Sequence, residues 1–136
     1  GFTGKTEEEI SEVYGEYKKQ RSTHKEDIPY PDGGECGQDV VERAMPVIRK
    51  ICSEPEEVTA VVTHGGVIRS LCACITGTEQ RHKLKYGIDL ENTSITEILY
   101  DEKRDLFFLE RFNDYAHLEH TPELLRRGWK QSLERM

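Results

Sequence analysis

The amino-acid sequence predicts an α/β fold in which a mostly parallel sheet is covered by helices on both faces. Residues 58–63, VTAVVT, form a nearly continuous apolar run, which is typical of a parallel strand buried on both faces. Apolar residues recur at helical spacing on both sides of this run. Two more strands, at residues 93–100 and 106–112, flank the polar turn DEKR and predict an antiparallel hairpin beside the parallel strand or at the sheet edge.

Length and composition limit the class of protein. The chain has 136 residues, of which 35% are hydrophobic and 33% charged, and this length suits a single domain, residues 1–136, rather than two. The net charge of -7 disfavours nucleic acid as a partner, since phosphate backbones are held by clustered Lys and Arg. No apolar run reaches the roughly 18 residues of a membrane span and no secretory signal is visible. We therefore expect a cytoplasmic protein with no membrane partner.

Cysteine spacing gives no sign of a metal site. Cys36, Cys52, Cys72 and Cys74 include no C-x-x-C pair and no histidine at zinc-finger spacing. They are expected to be free, buried thiols in a reducing compartment, with Cys72 and Cys74 pointing to different sides of one helix.

Two helices are predicted before the apolar run. Thr6 and Glu9 have the spacing of a capping box, which predicts a helix from Thr6 to about residue 20. Its apolar stripe consists of Ile10, Val13, Tyr14 and Tyr17. A second helix is predicted from about Gln38 to Cys52, with a kink or break near Glu42 to Met45, because Pro46 lies inside it.

Two helices are predicted after the apolar run. Apolar residues between positions 67 and 75 recur at helical spacing, and Gly77 ends the pattern. Thr121 and Pro122 then predict a last helix, with threonine as its cap and proline in its first turn. Its apolar contacts would come from Leu124, Leu125, Trp129 and Leu133.

The predicted parallel strand ends on His64-Gly65-Gly66. In open α/β sheets, ligands bind beyond the carboxyl ends of parallel strands, where the next helix exposes backbone N–H groups. Glycines let the backbone approach a ligand, and a helix N-terminus favours an anion. These residues indicate a phosphate site, and they are equally consistent with a core histidine followed by a turn.

A second motif points to nucleotides. Gly4-Lys5-Thr6 before a helix copies the end of a P-loop, G-x-x-x-x-G-K-[ST]. The first glycine of that motif would lie before residue 1, and the strand that should precede it is missing from the sequence. Nucleotide hydrolysis is therefore disfavoured.

The order of motifs along the chain resembles the histidine phosphatase superfamily, which has the phosphoglycerate-mutase-like fold. The resemblance is carried by GFTGKTEEEI, YPDGGECGQDVVERAMPVIRKI, VTAVVTHGGVIRSL, NTSITEILYD and NDYAHL. Its most specific parts are the G-G-E stretch before a helix with Arg43, and His64-Gly65-Gly66 followed by Arg69. The resemblance implies a three-layer α/β/α sandwich and makes His64 the second active-site histidine, which hydrogen-bonds the phosphoryl group. Gly65, Gly66 and Glu35 are the expected substrate-binding residues.

One departure from the family pattern affects catalysis. The family's nucleophile is the histidine of an R-H-G motif, and no R-H-G occurs in the 136 residues, since Arg81-His82 is followed by lysine. The family's acid and a second phosphate-binding arginine would also lie upstream. The resemblance therefore makes this chain the C-terminal part of the fold, inactive by itself. Cys36 stands where the family commonly has serine.

The implied activity is hydrolysis of small phosphate monoesters through a phosphohistidine, with no metal or cofactor. Short connections after Gly77 and Asn113 favour a phosphatase over a phosphoglycerate-type mutase, an isomerase. The alternative is a degenerate member that binds a phosphorylated ligand or a partner without turnover. A chain that lacks the central first strand is also expected to expose strand edges, and these could produce a homodimer or a strand-exchanged assembly.

Overall fold

The computed structural model describes residues 3–126. Three helices precede a two-stranded antiparallel sheet, and short 3₁₀ helices connect or follow these elements. The bounds are α1 Glu7–Ser22, α2 Gly37–Cys52, α3 Gly65–Ile75, β1 Ile95–Asp101 and β2 Leu106–Asp114, with 3₁₀ helices at Gln80–Lys85, Ala116–Leu118 and Pro122–Leu124. The architecture is α/β, as the sequence predicts.

The capping box predicted for α1 is confirmed. The Thr6 hydroxyl accepts a hydrogen bond from the Glu9 amide at 3.2 Å, and the Glu9 carboxylate accepts one from the Thr6 amide at 2.7 Å. The Thr6 side chain is thus engaged by its own helix. Ile10 is buried, whereas Val13 of the predicted apolar stripe is 63% exposed. A kink at Tyr14, where φ is -118° and ψ is 20°, interrupts the regular helical geometry.

The sequence predicts a kink or a break near Glu42 to Met45; α2 runs unbroken through Pro46, so the break is wrong. A proline removes one N–H from the helical ladder and leaves the carbonyl of residue i−4 without that partner. Here Pro46 and Glu42 both lie on the exposed side of the helix. Water can hydrate the freed carbonyl there, which explains why the helix continues.

The N-terminus of α2 is capped from a distance. Asp27, in the loop before it, accepts hydrogen bonds from the amides of Gly37 at 3.0 Å and Gln38 at 2.9 Å. The same carboxylate forms an ion pair with Lys83, and both side chains are largely buried. Burial by itself raises the pKa of Asp27, but the hydrogen bonds from Lys83 and from the two amides outweigh it, so that pKa lies below its ordinary value. Asp27 therefore joins α2 to the 3₁₀ helix Gln80–Lys85.

Helix α3 supplies half of the buried residues in the described part of the chain. Ser70, Leu71, Cys72 and Ala73 are buried, and α3 packs against both α2 and the 3₁₀ helix Gln80–Lys85. Cys72 is fully buried and Cys74 is exposed, so these two cysteines point to different sides as expected.

The C-terminus of α3 ends in a Schellman motif. The amide of Thr78 donates to the carbonyl of Ala73 at 2.8 Å, and the amide of Gly77 donates to that of Cys74 at 3.2 Å. Gly77 has a φ of 70°, in the left-handed region that glycine adopts without strain. The predicted stop at Gly77 is confirmed.

The predicted hairpin is present within two residues of its expected bounds. Strands β1 and β2 pair antiparallel, with Leu99 opposite Phe108 and Tyr100 opposite Phe107. The rings of Tyr100 and Phe107 lie 4.6 Å apart between centroids and stabilise the pairing across the strands.

The segment predicted as a buried parallel strand, residues 58–63, has no strand partner in the described part of the chain. Val58 is 89% exposed, Val62 is 99% exposed and Val61 is 52% exposed. The expectation of a paired, interior strand is therefore not confirmed within the described residues. The apolar pattern is present, but nothing between residues 3 and 126 lies beside it to accept and donate the ladder hydrogen bonds.

The last predicted helix falls mostly outside the described residues. Pro122–Leu124 forms a 3₁₀ turn, Leu125 is extended, and the Thr121 side chain does not cap the turn. Trp129 and Leu133 lie outside the described range. None of the helices between residues 3 and 126 has the length and apolar character needed to cross a membrane.

Replacing Asp27 tests the long-range cap of α2. We expect Asp27→Asn to lower the free energy of unfolding by about 2–4 kcal/mol, because Lys83 loses its partner in a largely buried position. Since the folded-state pKa of Asp27 is lowered, this stabilisation is complete above the unfolded pKa of about 4 and is lost as the pH falls through the folded value. Urea denaturation of the intact protein at pH 7 and at pH 3.5 measures both effects.

The matched control for this measurement is Glu97→Gln, which removes an exposed ion pair with Arg111. It should change the free energy of unfolding by less than about 1 kcal/mol. Equal losses for Asp27→Asn and Glu97→Gln would contradict the assigned role of Asp27.

Two glycine substitutions separate backbone strain from packing. A Cβ at Gly77 or at Gly15 would meet no atom within 4 Å, so neither replacement causes a clash. Gly77→Ala should lower the free energy of unfolding by about 1 kcal/mol because of its positive φ. Gly15→Ala, inside α1, should raise it by about 0.5–1 kcal/mol. Thermal unfolding of the two variants, measured in parallel, checks these changes. A shift of the melting temperature in the same direction for both variants would contradict the assignment.

Candidate active site

A cleft of about 610 Å³ opens at the N-terminus of α3. One wall is formed by residues 61–65 with Ile68 and Arg69, and the other by residues 89–94 with Arg126. We call residues 86–94 the cleft loop. The cleft therefore lies between the end of segment 58–63 and the connection that leads into β1.

His64 directly follows residues 58–63 and directly precedes α3. Its backbone is extended, with φ -101° and ψ 152°, and its carbonyl accepts the first helical hydrogen bond, from Ile68 at 3.1 Å. His64 is exposed and lines the cleft, so it is not a core histidine. His64 occupies the N-cap position, although its side chain forms no capping hydrogen bond, and the N–H groups of the first helical turn that follows carry a partial positive charge.

The two glycines after His64 differ in their surroundings. Gly65 lines the cleft and is half-buried, and a Cβ there would lie 3.8 Å from Leu90 of the cleft loop. Gly66 is exposed and is not among the lining residues, and a Cβ there would meet no atom within 4 Å. The chain itself leaves room for side chains at both positions. What the glycines provide is access to the backbone amides.

Arg69 ties α3 to the cleft loop. Its guanidinium donates to three consecutive carbonyls: Nε to Tyr86 at 2.9 Å, and Nη2 to Gly87 at 3.0 Å and to Ile88 at 2.8 Å. Burial lowers the pKa of Arg69 from its usual value, partly offset by the nearby Asp89 carboxylate. Arg69 was part of the sequence motif, but its partners were not predicted.

The hairpin holds the other end of the cleft loop. The side chain of Asn113 accepts a hydrogen bond from the Glu91 amide at 2.8 Å and donates to the carbonyl of Asp89 at 3.4 Å.

Two residues near the cleft have a left-handed backbone. Asn113 has a φ of 51° and Thr93 a φ of 63°. A left-handed conformation is strained for a β-branched residue, and such strain is concentrated at functional sites. The Thr93 hydroxyl also contacts His117 Nε2 at 3.3 Å.

Arg126 adds a cation to the same wall. Its Nη2 donates to Asn92 Oδ1 at 2.9 Å, its amide donates to Glu91 at 2.9 Å, and its Nη1 lies 3.8 Å from Asp89 Oδ1. These residues were not predicted as part of the site. Arg126 lies more than thirty positions from its three partners in the sequence, and no local pattern connects it to them.

Glu35 lies elsewhere. It forms a two-pronged ion pair with Arg43, one contact of which, from Nη2, measures 2.8 Å. The hydrogen bond from Arg43 lowers the pKa of Glu35. Glu35 is not among the residues that line the cleft.

Cys36, the next residue, contributes to the start of α2. Its amide donates to the Asp39 carboxylate at 2.8 Å, which caps the helix locally.

Metal-ligating side chains and thiols are other reactive groups in the described residues. Among residues 3–126, no group of three or more His, Cys, Asp or Glu side chains is arranged to hold a metal ion. Burial raises the pKa of the Cys72 thiol to about 11, and burial also raises the pKa of Cys36 and of Cys52. Thiols with raised pKa values are poor nucleophiles at neutral pH.

Comparison with known proteins identifies the family. Residues 1–115 match the histidine phosphatase superfamily (branch 1). The chain is 31% identical to phosphoglycerate mutase-like protein 4 of Arabidopsis thaliana over 84% of its length and 47% of that protein's. It is 30% identical to the metal-independent phosphoserine phosphatase of Arabidopsis thaliana over 76% of its length and 40% of that protein's.

A solved structure agrees with these sequence matches. Bacillus stearothermophilus YhfR superposes with a TM-score of 0.67 at 29% identity, covering 85% of this chain and 56% of that one. The chain spans less than half the length of either plant relative. The motifs around His64, the fold and these matches agree: the chain belongs to the histidine phosphatase superfamily.

Proposed function

We propose that the intact protein hydrolyses phosphate monoesters through a phosphohistidine intermediate, and that His64 hydrogen-bonds the phosphoryl group during its transfer. The observation that carries this proposal is the position of His64, exposed on the cleft wall at the N-cap of α3. A cleft lined by both a histidine and the first residue of a helix can offer an imidazole N–H and backbone amides to a tetrahedral anion.

Each part of the reaction needs its own group. A nucleophilic imidazole attacks phosphorus and forms the P–N bond as the ester P–O bond breaks, while a carboxylic acid protonates the leaving oxygen. Water then cleaves the P–N bond and releases phosphate. His64 stabilises the charge on the non-bridging oxygens in both steps. No R-H-G sequence occurs in the 136 residues, so the proposal places the nucleophile and the acid outside them.

The proposal gives a role to two of the remaining candidate site residues and leaves the third as a prediction. Gly65 and Gly66 begin α3, and their amides are the natural donors to a phosphoryl oxygen next to His64. Glu35 stays a prediction as a pocket residue, because its carboxylate is paired with Arg43 away from the cleft.

We further propose a three-layer α/β/α sandwich for the intact protein, with residues 58–63 as an interior parallel strand. Support comes from the apolar sequence of this segment and from its exposed valines. Such a segment needs strands on both sides to bury its side chains and to satisfy its backbone. Both plant relatives are more than twice the length of the matched region, which is consistent with additional strands.

A phosphatase is favoured over a mutase. Between α3 and β1 the chain forms only the 3₁₀ helix Gln80–Lys85, so no inserted helix pair or sheet occurs in this connection. The similarity to a protein named metal-independent phosphoserine phosphatase supports hydrolysis of a small phosphate ester without a metal.

The second candidate function is binding of a phosphorylated ligand without turnover. The observation that favours it is the lack of an R-H-G sequence in the 136 residues. A binder and an enzyme would share the anion site at His64, so binding alone does not separate them. Turnover of a panel of phosphate monoesters by the intact protein does separate them.

Replacing His64 tests the proposed activity. In the intact protein, His64→Ala should lower kcat/KM for phosphate monoesters by about 10²–10³, since it removes one hydrogen-bond donor to the transition state. The ring is exposed, so the free energy of unfolding should change by less than about 0.5 kcal/mol. Steady-state kinetics and urea denaturation measure the two effects.

The matched control is His120→Ala, which removes another exposed histidine. It should leave kcat/KM and stability unchanged. Full activity of His64→Ala would contradict the proposed role, and a wild type that binds phosphate without hydrolysing any ester would favour the binding function.

A further inference from the structure

We propose that Arg69 is a positioning residue, which sets the width of the cleft by fixing residues 86–88 to the helix that carries His64. The inference rests on the proposed function of the cleft as a phosphoryl site. In this inference Arg69 acts through the cleft loop, because three backbone carbonyls of that loop occupy its guanidinium.

The first argument is the geometry of the guanidinium. Three consecutive carbonyls, those of Tyr86, Gly87 and Ile88, converge on Arg69 within 2.8–3.0 Å. A planar fork with five N–H groups can serve three acceptors at once, whereas a lysine ammonium is a compact charge without that fixed geometry. The turn that makes these carbonyls converge includes Gly87, whose φ is 72°. The three hydrogen bonds therefore require both the arginine guanidinium and this turn of the backbone.

The second argument is that only a short part of α3 separates Arg69 from His64. Arg69 lies five positions after His64 on the same helix, so α3 alone connects the histidine to the carbonyls. Leu90 of the cleft loop is buried against the start of that helix, 3.8 Å from where a Cβ of Gly65 would lie. A shift of residues 86–88 would therefore move the wall that faces His64.

The third argument is that the rest of the cleft loop is already fixed. The Tyr86 hydroxyl lies 2.9 Å from the Thr78 hydroxyl, just after α3, and Asn113 holds Asp89 and Glu91 from the hairpin. Arg69 connects these two anchored ends through the intervening carbonyls. Loss of its hydrogen bonds would leave three acceptors to be satisfied by water and would loosen the middle of the loop.

The test uses Arg69→Lys and Arg69→Gln in the intact protein, with Arg49→Lys as control. The Arg49 guanidinium is also engaged, in an ion pair with Asp105, but it lies on the surface and does not line the cleft. Two measurements are compared: amide hydrogen exchange across the chain, and dissociation constants for inorganic phosphate and for phenylphosphonate. Phenylphosphonate carries the same anionic group on a bulky ring, so the ratio of the two constants reports the width of the cleft.

We expect exchange to accelerate at residues 86–94 in both Arg69 variants, while the amides of α2 keep their protection. Phosphate should bind about tenfold more weakly and phenylphosphonate about twofold more weakly, so the preference for the small anion shrinks about fivefold. Arg49→Lys should change neither quantity. A purely structural role would accelerate exchange throughout the chain and leave the ratio of the two dissociation constants unchanged.

The outcomes are distinguishable from a failure of the proposed function. A wild type that binds neither anion would overturn the phosphoryl site, and this inference with it. A wild type that prefers phosphate, together with Arg69 variants that keep the same preference, would overturn the inference alone. Unchanged exchange at residues 86–94 would also overturn it.

Discussion

The burial of α3 is the constraint on which the rest of the described structure depends. Ser70 to Ala73 are four consecutive buried residues, and because successive helical residues are 100° apart, they point to nearly every side of the helix. At this level α3 is therefore enclosed and cannot rotate or slide without opening the core. Its fixed axis places His64 at one end, the Gly77 cap at the other, and the Arg69 guanidinium against residues 86–88. The cleft is a consequence of how this one helix is packed.

Local charge in the cleft differs from the net charge of -7. Arg69 is engaged by backbone carbonyls, and Arg126 faces Asp89, Glu91 and Asn92, so both cations of the described walls have partners within the chain. His64 and the first amides of α3 are then the groups of these residues that suit an incoming anion. A site of this kind binds phosphate by directed hydrogen bonds in a confined place rather than by overall attraction. The wall that faces His64 contains the strained Thr93, which the contacts around it hold in place.

Sequence reasoning succeeded where the determining chemistry is local. The Thr6 capping box, the Gly77 stop and the hairpin each depend on residues a few positions apart, and each was predictable. It failed where a partner lies far along the chain: Asp27 with Lys83, Arg69 with residues 86–88, and Arg126 with Asp89 have no local signature. Pro46 was misjudged because its cost depends on whether the freed carbonyl meets water. Residues 58–63 show a different limit of sequence-based prediction. An apolar pattern indicates that a segment should be buried, but it does not identify the neighbouring strands that would bury it.

The central claim is that His64 and the N-terminus of α3 hold the phosphoryl group opposite residues 89–94. A crystal structure of the intact protein with orthovanadate tests it most directly, because vanadate resembles the transferring phosphoryl group in shape and charge. The account predicts vanadate in the cleft, with an oxygen about 3 Å from a ring nitrogen of His64 and another facing the first amides of α3. Vanadate bound elsewhere, with the His64 ring making no contact to it, would contradict the account.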